Sequence, residues 1–419
     1  MRHLHDTILI INLEDQSSRR IVHAVRDRQV FCEVVSSRRF LEDHDQVMTG
    51  RIRGIILAGS IPASIPGQFN ERLEATDLPW LQIEGDLDDI KLRDFLVKDC
   101  GCQGDWTVQG YLEEMVDQIR QMVGDKKVIC GLSGGVDSSV AAMLVYRAIG
   151  NQLTCIFVDH GFMRKDEAQE VRTMFSEDYK IPLIFVQAAD RFLDRVENVL
   201  DPEVKRKRIG EEFIRIFEEE ARELAADFLV QGTIYPDVIE SGEDGQVVKS
   251  HHNVGGLPDR IHFEGIIEPL RLLFKEEVRE LGRALGLPST MVDRQPFPGP
   301  GLAIRCLGGV TREKLDILRE ADALFREAIE KEGYRDQVSQ YFAVMTGLQS
   351  VGVTEGSRTY DYTIALRAVK TDDYMAAKAV EFPWDFLQRV STRITQEVPQ
   401  VSRVVYELTG KPPATIEWE

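Results

Sequence analysis

The chain has 419 residues, 43% of them hydrophobic and 29% charged, enough apolar material for two or three domains with separate cores. Its net charge of −19 excludes nucleic acid as a general partner, because a binder of phosphate backbones carries a basic face. No apolar run approaches a membrane span, and the opening Met1-Arg2-His3-Leu4-His5-Asp6 holds no signal-peptide core, twin-Arg or lipidation signal, so no membrane contact and a cytoplasmic location are expected.

The first block, residues 1–95, reads as a short α/β unit, with strands over 7–11, 30–35, 54–59 and 79–83 and a helix over 18–28. Such alternation implies a parallel sheet with ligands at the strand carboxyl ends. The order resembles the start of a class I glutamine amidotransferase, a family that places a cysteine nucleophile on a tight strand-to-helix elbow, with a His and a Glu further along. Here the only cysteine before residue 100 is Cys32, inside an expected strand, and no G-x-C-x-G elbow or H-x-E pair follows. A thiol with no base to activate it and no turn to expose it is not a catalytic nucleophile. The block therefore reads as a degenerate, structural remnant, with a docking surface for a separate glutaminase as the second reading. Six cysteines scattered through so long a chain suit reduced thiols. Cys100 and Cys102 lack the further ligands of a zinc site and read as packing residues.

The second block, residues 105–295, opens on a helix with Leu112, Met115, Val116, Ile119 and Met122 as its buried stripe. An apolar strand over 127–132 then runs into Ser133-Gly134-Gly135-Val136-Asp137-Ser138-Ser139, and a helical pattern follows. Strand, glycine-rich turn and helix N-terminus together cradle phosphate: glycines let the backbone approach, and unpaired N–H groups meet the positive end of the helix dipole. Ser133, Ser138 and Ser139 add hydroxyl donors, and Asp137 can hold a Mg²⁺ that bridges phosphate oxygens. No lysine follows the glycines, so this is not a Walker A loop. A flexible serine-glycine linker would not sit between a buried strand and an amphipathic helix. The run resembles the pyrophosphate loop of the ATP pyrophosphatase (PP-loop) family, whose members split ATP between the α and β phosphates.

Further strands are expected over 153–158, ending in Asp159, over 182–186, and over 227–231, ending in Gly232. They predict a doubly wound parallel sheet, with nucleotide at the crevice where the strand ends converge. Asp159 reads either as an acceptor for ribose or adenine or as a turn residue capping the next helix. Lys275 stands at a helix start, where the dipole favours acids, and binding pyrophosphate would account for it. The basic island Lys205-Arg206-Lys207-Arg208 reads as a lid over polyphosphate or as a solvated helix face. Residues 232–241 and 249–258 show neither strand alternation nor a helical stripe and read as catalytic loops or lids. Within the second, His251-His252 suits a phosphate or nucleobase contact better than zinc.

The third block, residues 296–419, starts with Pro296-Phe297-Pro298-Gly299-Pro300-Gly301, a rigid, non-regular crossing between domains. A helix from Thr311, with Leu315, Leu318, Phe325 and Ile329 on one face, leads into strands over 340–344 and 360–369, a helix over 384–397 and a strand over 402–408: a compact α+β domain. The end, Lys411-Pro412-Pro413-Ala414-Thr415-Ile416-Glu417-Trp418-Glu419, carries two prolines, a Trp and paired acids and reads as ordered and inserted into a site. From residue 101 to 419 the sequence resembles the synthetase half of the GMP synthase family, on the motifs at 133–139, 235–241, 249–258, 295–305, 356–360 and 411–419. The resemblance implies an ATP-binding α/β domain of the adenine nucleotide α-hydrolase type and a C-terminal domain for dimerisation and XMP binding. It implies a ligase that adenylates XMP with Mg-ATP and aminates it to GMP, with ammonia free or from a separate glutaminase. Asp137 and Lys275 then stand as catalytic, 133–139, Asp159, Gly232 and Lys275 as ATP or pyrophosphate contacts, and Asp137 as the metal residue. Arg294, Arg305, Lys411, Thr415, Ile416 and Glu417 stand as XMP contacts. Two other readings stay open: the same chemistry on another purine-like acceptor, and a non-catalytic nucleotide-binding regulator.

Overall fold

The computed structural model describes residues 5–13, 18–61, 67–240, 263–295, 297–354, 356–371 and 376–419. Among these, one compact unit gathers 5–118, 233–240 and 271–284, and a second gathers 119–232, 263–270 and 285–419. The motif at 249–258, with His251 and His252, lies outside the described residues.

In the first unit, β1 (Thr7–Asn12), β2 (Phe31–Ser36), β3 (Ile52–Ala58) and β4 (Trp80–Ile83) form a parallel sheet in the order β2-β1-β3-β4. All four expected strands form. The central strands read as apolar runs because both faces are covered. Ile8 and Ile10 pack with Ile21, Val25 and Ile56 on one side, and Leu9 and Ile11 with Phe40, Leu57 and Phe69 on the other. Cys32 lies fully buried in β2, and burial pushes its thiol up to about 11, which leaves no thiolate for nucleophilic attack at neutral pH. Cys100 and Cys102 are buried packing residues of the same core, as expected. The unit also takes in the helices Tyr235–Glu240 and Lys275–Ala284. The first corrects the expectation of irregular structure over 232–241. Six residues are too few to display a stripe, and the Asp237 carboxylate supports the turn by accepting from the Ile234 N–H at 3.1 Å.

The second unit carries β5 (Val128–Leu132), β6 (Leu153–Asp159), β7 (Leu183–Gln187), β8 (Phe228–Val230) and β9 (Gly265–Ile267), all parallel, in the order β7-β6-β5-β8-β9. The sequence reading missed β9, three residues that carry no alternation. Strand order reverses beside β5, so the crevice above its carboxyl end is the topological switch point where such sheets bind ligands. In the helix Val108–Val123 the buried stripe is Leu112, Val116, Ile119 and Val123, and Met122 turns outward, because the 3.6-residue period selects 123 over 122.

Beyond the sheet, β10 (Gln340–Thr354) and β11 (Ser357–Lys370) make a long antiparallel hairpin, extended by β12 (Lys378–Ala379) and by β13 (Val401–Tyr406) parallel to β11. The helices Arg312–Lys331 and Trp384–Glu397 cover it, burying Leu315, Leu318, Phe325 and Ile329 as expected. One apolar cluster joins Ile129, Ile156 and Leu229 of the parallel sheet to Leu302, Phe325 and Met345, so the crossing segment is embedded in a continuous core. The fold class is α/β, with two parallel sheets and a C-terminal mixed sheet. Among the described residues no helix is long and apolar enough to cross a membrane.

Candidate active site

The run Ser133–Ser139 folds as the sequence requires. β5 ends at Leu132, Gly134 adopts φ +78°, and Gly135 caps the helix Val136–Ile149. A Cβ on Gly134 would strain that left-handed backbone and press to 3.2 Å from Met163 Cε. Ser138 Oγ accepts from the Ser133 N–H at 3.2 Å, and the Ser133 and Ser138 hydroxyls stand 3.0 Å apart. Ser133 Oγ also accepts from the Gly135 N–H at 3.3 Å. Ser139 is fully buried and donates to Gly135 O at 2.9 Å, so it braces the turn from behind. Val136 is buried beneath the loop, and Asp137 occupies the first helical turn. Gly232, just past β8, approaches so closely that a Cβ there would lie 3.2 Å from Asp137 C and Ser138 N. The loop and the end of β8 therefore share one wall of the crevice.

Arg294 reaches the same loop. Its Nη1 donates to Gly134 O at 3.1 Å and to Glu167 Oε1 at 2.9 Å, and its Nη2 donates to Glu170 Oε2 at 3.0 Å. It braces the glycine turn. At the end of β6, Asp159 Oδ1 accepts from the Gly161 N–H at 3.0 Å, the geometry of an Asx turn. Asp159 also lines a cleft of about 520 Å³ with Arg164, Lys165, Arg172, Gln187 and Arg319.

His160 sits behind that cleft among Phe162, Phe192 and Phe213. Its Nδ1 accepts from the Phe162 N–H at 3.1 Å, which requires the neutral ring. Burial, helped by the nearby Arg319 charge, pulls its pKa down to about 3. An unfolded histidine titrates near 6.5, so between those values the unfolded chain takes up a proton that the folded chain refuses. Stability from this group is complete above about pH 6.5 and falls toward pH 3, by about 1.4 kcal/mol per pH unit. Replacing His160→Asn keeps an acceptor oxygen and removes the titration. Urea unfolding as a function of pH is expected to show a shallower acid limb in H160N than in the parent.

The C-terminal tail is ordered and docked. Arg305, fully buried, makes a bidentate pair with Glu417: Nε to Oε2 at 3.0 Å and Nη2 to Oε1 at 2.7 Å. Its guanidinium lies 3.9 Å from the centroid of the Phe342 ring. Thr415 O accepts from buried Arg367 at 3.0 Å, Ile416 is buried against Phe342 and Val344, and Lys411 pairs through its backbone with Ala377. The bonds Lys411–Pro412 and Pro412–Pro413 are cis. The basic island is split: Lys207 and Arg208 are exposed on the helix surface, while Lys205 and Arg206 turn inward. In the helix Pro202–Leu224, Lys205 is fully buried, donates to Cys306 O at 2.8 Å and pairs with the Glu419 side chain, while Arg206 donates to Glu419 O at 2.5 Å. A partner distant in sequence binds these two, which local reading cannot show.

Two residues escaped the sequence reading. Arg164 is buried, lies 4.4 Å from the Phe297 ring centroid, and has Nε and Nη2 without hydrogen-bond partners among the described residues. Burial pulls its pKa down to about 10, partly offset by Asp322. Asp322 is the other, at 3.8 Å from Arg164. Its signal was present: a carboxylate interrupting the apolar face formed by Leu318, Ala321 and Phe325. Lys275 opens the helix Lys275–Ala284 of the first unit.

Among the described residues no three His, Cys, Asp or Glu side chains cluster to hold a metal. Mg²⁺ needs no such cage, since it binds through one or two carboxylates plus substrate phosphates and keeps several waters. Asp137, two residues beyond the glycines at a helix start, fits that donor set.

Residues 109–204 match the NAD synthase family, which brackets the loop, and residues 327–418 match the GMP synthase C terminal domain family. Proteins named GMP synthase [glutamine-hydrolyzing] align over 330 residues, 78% of this chain. Those of Acetivibrio thermocellus and Ruminiclostridium cellulolyticum are 61% and 59% identical, and that of Geobacillus kaustophilus is 58% identical. Over that segment the chain is a homologue of the GMP synthases. It covers 65%, 65% and 64% of the length of these three relatives.

Proposed function

We propose that the chain is an ATP-dependent C–N ligase that aminates XMP to GMP. The observation that carries this is the loop at 133–139, whose hydroxyls and helix N-terminus face the switch point of a parallel sheet in a homologue of the GMP synthases. In the first step O2 of XMP attacks the α-phosphorus of ATP, and the bond to the bridging oxygen breaks to release pyrophosphate. Ammonia then attacks C2, the C2–O bond breaks with AMP as leaving group, and the nitrogen loses a proton.

The chain's own groups suit those charges. The loop amides, Ser133, Ser138 and Lys275 would hold the departing pyrophosphate, with Gly134, Gly135 and Gly232 giving backbone access. Asp137 would hold Mg²⁺, which supplies charge neutralisation at the phosphates. Arg294 would act by fixing the loop, and Arg305 by fixing Glu417, leaving Lys411, Thr415, Ile416 and Glu417 to meet XMP. Asp159 would meet the nucleoside. Three functional regions follow, 1–95, 105–295 and 296–419, the last two each holding one matched family segment. A homodimer through the C-terminal hairpin is supported by exposed Leu348, Val351, Val353 and Tyr360. The buried, unactivated Cys32 supports ammonia arriving free or from a separate glutaminase, and a cytoplasmic setting suits six free thiols.

The test is GMP formation from XMP and Mg-ATP, with ammonium or glutamine as nitrogen source in parallel. Product with ammonium and none with glutamine is expected. Product with glutamine overturns the reading of the N-terminal block, and no product with either source overturns the assignment of XMP as acceptor.

A further inference from the structure

The N-terminal sheet carries no activated nucleophile, yet it holds a buried cation whose bonds lead to one place. Arg26, at the end of the helix Ser18–Arg26, lies against the adjoining rings of Phe31 and Trp106, 4.5 Å from each centroid. Its Nη2 donates to Cys32 O at 3.0 Å and Leu272 O at 3.3 Å, and its Nη1 donates to Glu277 Oε1 at 3.3 Å. Glu277 in turn accepts from Trp106 Nε1 at 3.1 Å and, through Oε2, from the Phe274 N–H at 2.8 Å. That last bond is half of a capping box, satisfying an orphan donor at the start of the helix Lys275–Ala284.

A second tether runs from Tyr235. Its backbone N–H donates to Leu273 O at 2.9 Å, and its hydroxyl accepts from the Val34 N–H at 2.5 Å, on the edge strand β2. The Phe274 ring packs edge-on against Tyr235 and tilts onto His23, with centroids 5.2 and 4.8 Å away. Leu272, Leu273 and Phe274 are thus each fixed at the backbone, immediately before Lys275. A buried guanidinium is costly unless paired, and of the three bonds made by this one, one holds Leu272 directly and one holds Glu277, which caps Phe274.

We propose that Arg26 and Tyr235 are positioning residues, through which the N-terminal unit sets the start of the Lys275 helix and of the helix Tyr235–Glu240. This rests on the reading of Lys275 as a pyrophosphate contact. The N-terminal unit then serves the synthetase reaction as a scaffold, independently of any nitrogen source.

The test uses the full chain with Arg26→Lys, which keeps the charge but cannot bridge Leu272 and Glu277, and with Tyr235→Phe, which removes one hydroxyl. Amide hydrogen exchange over 272–277 is expected to accelerate in both variants. XMP-dependent ATP–pyrophosphate exchange, per folded active site, is expected to fall about 10- to 100-fold in kcat, with XMP affinity near that of the parent. Unchanged protection in both variants overturns the tether. Faster amide exchange with unchanged kcat overturns its role in positioning. A parent protein that exchanges no pyrophosphate refutes the proposed reaction, and the amide measurement then still decides the tether alone.

Discussion

Asp137→Asn is expected to reduce XMP-dependent ATP–pyrophosphate exchange by about 10²- to 10³-fold, the loss typical of removing one preorganised electrostatic group at a developing charge. The carboxylate sits in the first turn of Val136–Ile149, on the residue next to Ser138. Asparagine keeps the shape and loses the charge that recruits Mg²⁺ to the phosphates. The variant should also need more Mg²⁺ for half-maximal exchange, which separates loss of metal binding from loss of fold. Stability should change little, because an acid in the first helical turn contributes only about 0.3–1 kcal/mol. Exchange at the parental rate and the parental Mg²⁺ requirement would remove Asp137 from the proposed site.

Glu417→Gln should be the most destabilising conservative change in the tail. Arg305 is fully buried and both its bonds to this carboxylate are short, so removing the charge leaves a guanidinium uncompensated against Phe342. Breaking such a pair costs about 3–5 kcal/mol, and the lower end applies because glutamine retains one acceptor oxygen. For a unit of this size that corresponds to a melting temperature lower by about 6–12 °C. The doubly substituted Arg305→Met, Glu417→Leu protein provides the decisive comparison by calorimetry and XMP titration. Replacing both charges with apolar groups should restore much of the stability, since a buried pair is often matched by well-packed hydrophobic residues. It should not restore XMP binding. Recovery of both would make the pair purely structural.

The pyrophosphate loop was legible because its requirements are local: a strand, two glycines, hydroxyls and a helix start follow one another within about a dozen residues. The four strands of the first unit were legible for the same reason, each being a short apolar run bounded by polar turns. The absent elbow around Cys32 was equally readable, since a nucleophile needs a specific local turn.

What the sequence could not show depends on partners brought together by the fold. Lys205 reads as a surface charge until the chain terminus, more than two hundred residues away, supplies Glu419. Arg294 reads as a ligand contact, and only the fold shows Glu167, Glu170 and the Gly134 carbonyl converging on it. Arg26 carries no motif, and its tie to Leu272 and Glu277 joins the first sequence block to the second. Local propensity and spacing determined which segments become strands, loop and helix. Burial decided which charges are neutralised within the protein and which are left to meet a ligand, because a charge removed from water must find its partner wherever the tertiary fold places one.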